Sequence, residues 1–224
     1  MLTFPEEVIL LLLDDEEGIL LSVGKTTLEL ALTGSVLMEL AFADRLDTDL
    51  ERVVVSDCQP TGNPMLDGVL ERIAASETAR DAKDWIETLA QVETAAIQEH
   101  ALASLVGQGI LRREQKKLLQ ETIAHLWIFR SPRYFPVDGR AKREVMAHID
   151  VLFSDEIPDP RDLALVCLLD ACGVLGALIG AKELEQVAPR IDQLRMMDLI
   201  GRDIGKAIAH IERSVVQSTA HALT

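Results

Sequence analysis

The run from Leu126 to Val137, LWIFRSPRYFPV, interleaves four aromatic side chains, Trp127, Phe129, Tyr134 and Phe135, with the guanidinium groups of Arg130 and Arg133. Ile128 adds an aliphatic group between the first two rings. Residues of these two kinds in alternation suit an anionic surface with an apolar layer beneath it: arginines meet phosphate while rings enter the interface. Each basic residue near such a surface contributes about 1 kcal/mol, and full burial of one aromatic side chain about 1.5–3 kcal/mol. From Leu111 to Arg143 there are nine Arg or Lys against three Asp or Glu, so the stretch nets +6 in a chain of net charge −15. The remainder carries −21, a partition that uniform solubilisation does not require. The competing reading puts the rings in the core, where large apolar side chains usually lie, with the arginines coating its rim.

Other groupings that could do chemistry lack the spacing for it. Gly18, Gly24, Lys25 and Thr26 give G-x5-G-K-T, one residue longer than a phosphate-binding loop and preceded by DDEE instead of a buried strand. His100, His125, His148, His210 and His221 contain no i,i+4 pair, so no metal site is expected. Asp14 to Glu17 read as a solvated turn. Ser22, Ser35 and Ser131 lack a nucleophile elbow, so no catalytic residue, cofactor or enzymatic activity is assigned. Cys58, Cys167 and Cys172 read as small core residues with reduced thiols, which implies a cytosolic compartment.

The elements that must position the basic-aromatic stretch follow from periodicity and breakers. With 224 residues, 48% of them apolar, and no linker-like segment, one globular domain is expected over 1–215, with 216–224 a frayed tail. A pI near 4.7 disfavours nucleic acid as a partner. The longest apolar run near the N-terminus is six residues, too short for a signal peptide or a span, and predicts a short buried helix capped by Thr3 and opened by Pro5. Leu163 to Ala181 is interrupted by Asp170 and reads as a core helix.

A helix is predicted over Thr27 to Ala43, a small hairpin over RLDTDLERVVVSD, three helices from Pro64 to Val106 with breaks near Ser76 to Thr78 and Gln91, and a strand from Ile110. The segment REQKKLLQETIAHL reads as partly helical. Pro132 and Pro136 exclude helix around them, giving two extended pieces or a hairpin about Ser131-Pro132 that ends at Val137. Helices follow over Gly139 to Phe153, Asp162 to Ile179, Lys182 to Ala188 and Pro189 to His210. The fold class is thus mostly α, a single helical domain with small β-hairpins, one of them projecting as a membrane or partner contact.

Four strings occur in register along residues 2 to 210: LTFPEEVILLLLDDEEGILLS, GSVLMELAFADRL, LVGQGILRRE and PDPRDLALVCLLDACGVL. In order and spacing they resemble the Golgi phosphoprotein 3 family. That resemblance implies a mostly helical peripheral membrane protein that binds phosphatidylinositol 4-phosphate, some members of which retain glycosyltransferases through their cytoplasmic tails. It implies that Trp127 to Val137 is the second strand of a membrane-inserting hairpin, with its first arm extended within Gln115 to Leu126. The family's headgroup-pocket tryptophan falls at Val23 or Gly24, and its pocket arginines fall at Thr33, Ala95 and Gln98. Neutral residues at these positions remove the guanidinium clamp that phosphate recognition uses. Lys25, Arg112 and Arg113 are the nearby cations. The chain begins directly at the domain, without the basic extension of Golgi members, which favours a bacterial-type member.

The leading expectation is a non-enzymatic protein that inserts Trp127, Ile128, Phe129, Tyr134 and Phe135 while Lys25, Arg112, Arg113, Arg130 and Arg133 contact anionic phospholipid headgroups. The implied place is the cytoplasm with peripheral membrane association, at the Golgi cytosolic face or an inner membrane surface. The alternative is a soluble interaction or oligomerisation module that grips a partner or its own copy through the hairpin, including an adaptor for membrane-enzyme tails.

Overall fold

The segment FPEEVILLL is apolar on every side, and a helix with that pattern must be enclosed on every side. In the computed structural model, which describes residues 1–49, 52–78, 80–114 and 132–195, it forms α1 (Phe4–Leu12), all nine of its residues buried. Pro5 occupies the first turn, and Glu6 reaches back to accept the Thr3 amide at 2.7 Å. The buried Glu6 carboxylate also accepts from Ser104 Oγ at 2.6 Å and Gln108 Nε2 at 2.8 Å, which offsets its desolvation.

Around α1 stand α2 (Lys25–Phe42), α5 (Thr94–Gly107) and α6 (Arg140–Ile149). Leu30 to Met38 of α2 are buried without interruption, so α2 is also enclosed, between α1, α4 (Ala82–Val92), α5 and α7 (Pro160–Ala171). Its two buried hydroxyls are satisfied within the helix: Thr33 donates to Glu29 O at 2.8 Å and Ser35 to Leu32 O at 2.7 Å. Outer helices present one stripe each. Trp85, Ile86 and Leu89 of α4 are buried, as are Val145 and Ile149 of α6 and, at i, i+4, i+7, Val187, Ile191 and Leu194 of α9 (Ala181–Arg195). α3 (Pro64–Ala74) and the five-residue α8 (Leu175–Ile179) complete the described helices.

The N-caps are those the sequence calls for. Asn63, Asp81 and Asp159 each accept a backbone amide of the following turn, and Pro64 and Pro160 sit just inside their helices. Two antiparallel strand pairs interrupt the helices: β1 (Leu46–Asp49) with β2 (Arg52–Val55), and β3 (Leu111–Glu114) with β4 (Arg133–Pro136). The fold is therefore mostly α with two small hairpins.

Three expectations need correction. The helix predicted over Asp162 to Ile179 is two helices, because Gly173 adopts φ 70° and closes α7 with amide bonds from Gly173 to Asp170 O and from Val174 to Leu169 O. The same closure ends α5 at Gly109 and α2 at Asp44, the latter with φ 56° on a non-glycine residue. The break expected at Pro189 does not occur: α9 passes through it, with Pro189 on the exposed side of the helix. The expected continuation to His210, like the tail 216–224, lies outside the described residues. Cys167 and Cys172 are core residues, but Cys58 is exposed, since it lies in the polar loop SDCQPTGN instead of an apolar stripe. α6 ends at Ile149 and continues as a 3₁₀ turn over Asp150–Phe153.

Leu32 is fully buried in α2, so Leu32→Ala is expected to cost about 2–5 kcal/mol, and Gly173→Ala about 1–2 kcal/mol for placing a Cβ in left-handed backbone. Urea unfolding followed by tryptophan fluorescence reads both.

Candidate functional site

The basic-aromatic stretch enters and leaves the described structure as the β3–β4 ribbon. Its register pairs Leu111 with Pro136, Arg112 with Phe135, Arg113 with Tyr134 and Glu114 with Arg133. Cross-strand partners share a face. Arg112 accordingly lies over the Phe135 ring at 5.5 Å, a cation–π contact, and is 3.4 Å from Glu114. The hairpin predicted about Ser131-Pro132 is thus a ribbon whose partner strand is β3, because Leu111 to Glu114 supply the backbone partners of β4.

The ribbon is seated on the acidic turn that follows α1. Asp14 organises that turn: its Oδ1 accepts the amides of Glu16 at 2.9 Å and Glu17 at 2.7 Å, and these bonds hold its carboxyl below the usual range. Gly18 takes φ 68°, and a Cβ there would lie 2.7 Å from the Phe135 ring. Only glycine allows this approach. The Tyr134 amide donates to Gly18 O at 2.8 Å, Arg133 is 3.8 Å from Glu17, and Lys142 of α6 reaches Asp15 at 2.9 Å while also donating to Leu13 O. The DDEE turn is exposed as expected, and it has a second role that sequence reading missed: it is the counter-charged shelf for the ribbon. The signal was present in Gly18 at the end of DDEEG, but which ring it admits is a long-range fact.

Beside this seat lies a cleft of about 470 Å³. Leu20, Leu21, Val23, Leu28, Leu102 and Tyr134 give it apolar walls, and Gly24, Lys25 and Gln98 also line it. The structure therefore brings together two of the positions aligned with the headgroup pocket, that of the tryptophan at Val23 or Gly24 and that of one arginine at Gln98, with Lys25 beside them. Lys25 is 90% exposed and 3.6 Å from Glu29. Thr33 is not part of the cleft; it is buried within α2. Ala95 is exposed on the first turn of α5 and does not line the cleft.

Of the insertion candidates, Tyr134 is half-buried against the core and Phe135 is half-buried on Gly18. Trp127, Ile128, Phe129 and Arg130 lie outside the described residues. Arg133 is half-buried in its pair with Glu17, whereas Arg112 and Arg113 are exposed. No described helix is long and apolar enough to cross a membrane.

A helical domain with a cationic ribbon standing on an acidic turn is the class these observations define. The sequence model described as Golgi phosphoprotein 3 (GPP34) matches residues 4–211. The chain belongs to that family. It is similar to vacuolar protein sorting-associated protein 74 of Schizosaccharomyces pombe, 28% identical over 231 aligned positions that cover 86% of this chain and 66% of that protein. It is also similar to the protein of the same name in Eremothecium gossypii, 24% identical over 83% of this chain and 63% of that protein. The chain thus spans just under two thirds of the length of these relatives.

Gly18→Ala combines left-handed strain of about 1–2 kcal/mol with a clash against Phe135. The expected outcome is faster hydrogen exchange at the Tyr134 amide, which loses its fixed acceptor; unchanged protection would show that the ribbon is held elsewhere.

Proposed function

We propose that this protein is a non-enzymatic peripheral membrane protein of the cytoplasm that binds anionic phospholipid through the β3–β4 ribbon and the segment of sequence between its strands. The observation that carries this reading is the ribbon itself. It gathers Arg112, Arg113 and Arg133 about Tyr134 and Phe135 at the two ends of the segment that holds Trp127, Ile128, Phe129 and Arg130. Family membership supports a lipid-binding role, and by resemblance the headgroup is phosphatidylinositol 4-phosphate. The residues argue for charge and insertion in place of headgroup selection. Gly24, Thr33, Ala95 and Gln98 offer no guanidinium at the aligned pocket positions, and Lys25 is a point charge that cannot form the bidentate fork.

The acidic turn sharpens this reading. Glu17 and Asp15 partly neutralise Arg133 and Lys142, so the cations offered to a bilayer are the more exposed Arg112 and Arg113, the former with Glu114 3.4 Å away. Attraction of that kind weakens as the Debye length shortens to about 3 Å at 1 M salt. An apolar contact with a protein partner or a second copy would persist under the same conditions, which separates the oligomerisation module from the membrane reading.

Co-sedimentation with neutral vesicles, with vesicles carrying phosphatidylserine and with vesicles carrying phosphatidylinositol 4-phosphate tests the proposal. Binding to both anionic preparations, lost in 1 M salt, is expected. The double substitution Trp127→Ala with Phe129→Ala should weaken it at least about a hundredfold, from about 1.5–3 kcal/mol per buried aromatic. Retention on the phosphoinositide alone would point to a rebuilt specific pocket, and no sedimentation with any vesicle would sink the membrane reading.

A further inference from the structure

The seam where α1 meets α2, α6 and α7 collects more negative than positive charge among the described residues. Glu7 comes from α1, Glu39 from α2, His148 from α6, and Arg161 and Asp162 from α7, with Asp159 capping that last helix. The neighbouring carboxylate of α1, Glu6, is turned away to Ser104 of α5 and to Gln108 at the end of that helix.

Among the described residues Arg161 is the one guanidinium in the seam, and Glu39 takes most of it. Its Nη2 lies 3.0 Å from Glu39 Oε2 and donates to Leu2 O at 2.9 Å, while its guanidinium carbon sits 3.8 Å from the centre of the Phe4 ring. Glu39 Oε2 also accepts the Phe4 amide at 2.7 Å. Glu7 is left with the remainder. Its Oε1 is 3.7 Å from Arg161 and 3.9 Å from His148 Nδ1, and its Oε2 is buried with no hydrogen-bond partner among the described residues. Nδ1 of His148 is likewise buried without a hydrogen bond, 3.6 Å from Asp162. Among the described residues Glu7, Glu39 and Asp162 thus face one guanidinium, with Asp159 adding a fourth carboxylate at the cap of α7, and an imidazolium at His148 would make up only part of the deficit.

We infer that Glu7 is the proton-binding group of a pH-sensitive clamp: protonated, it lets α1 close on α6 and α7, and ionised, it places a buried charge that Arg161, already engaged by Glu39, compensates only in part. The side chain is 1% exposed, so ionisation there is opposed by desolvation. Burial, partly countered by Arg161 and reinforced by Glu39 and Asp162, pushes its carboxyl up from 4.5 to about 7. A folded-state value above the unfolded one means that stability is full below the unfolded value and is lost as pH rises through the folded one. The window is therefore about pH 4.5 to 7. The inference is independent of the lipid reading.

Urea unfolding by tryptophan fluorescence between pH 5 and pH 8, on the full chain and on Glu7→Gln, tests it. From a folded-state value of about 7, the folded-to-unfolded ratio of the unaltered chain should fall by about tenfold more than that of Glu7→Gln between pH 6 and pH 8. Parallel profiles would overturn the clamp. Should Glu7→Gln fail to fold, carbon-13 carboxyl titration of the unaltered chain decides. One glutamate titrating within about a unit of pH 7 supports the clamp, and every glutamate titrating in the ordinary carboxylate range overturns it.

Discussion

Enclosure of α1 is the constraint on which the other elements depend. A nine-residue helix is too short to persist alone in water, and this one has no polar face to turn outward. It forms because α2, α5 and α6 surround it, and those helices in turn have their apolar stripes answered by it. Both of its ends are held by side chains from distant parts of the chain. Arg161 and Glu39 grip the entry at Leu2 and Phe4, and Lys142 takes the Leu13 carbonyl at the exit. The acidic turn that seats the ribbon is the direct continuation of this helix, so the position of the ribbon is inherited from the core.

The charge partition has a structural logic beyond solubility. A cationic ribbon on a chain of net charge −15 would be attracted non-specifically to acidic surface. Here that attraction is directed to one place, with Glu17 and Asp15 meeting Arg133 and Lys142. Exposed pairs of this kind add little stability, about 0–1 kcal/mol each. Their effect is orientational: together with the Gly18–Phe135 contact and the Tyr134 amide bond, they fix how the ribbon stands on the body. Arg112 and Arg113 are exposed on it.

The helical elements were largely legible because their signals are local. The caps at Asn63, Asp81 and Asp159, the prolines after Asn63 and Asp159, and the stripes of α4 and α6 are written within a few residues of each helix. Gly173 and Pro189 were misjudged for opposite reasons. A single glycine inside an apolar run gives no local sign that it will turn left-handed, and a proline at a helix midpoint is tolerated when its side of the helix faces water. The site was legible in composition but not in placement. Trp127 to Phe135 stood out by residue type, whereas the seating of Phe135 on Gly18 joins residues more than a hundred positions apart. Glu7 was invisible as a titrating group, since its partners arrive from three other helices; in the sequence it is only the second acid of a helix N-terminus.

The three cysteines give the chain a chemical asymmetry. Cys58 lies on an exposed loop, while Cys167 and Cys172 are packed among leucines, and burial pushes the Cys172 thiol up, away from the reactive thiolate. A thiol-selective alkylating reagent therefore meets one accessible thiol in the folded protein and three in the unfolded chain. The molecule thus contains its own stoichiometric counter of global opening, and one native attachment point for a probe that leaves the core untouched.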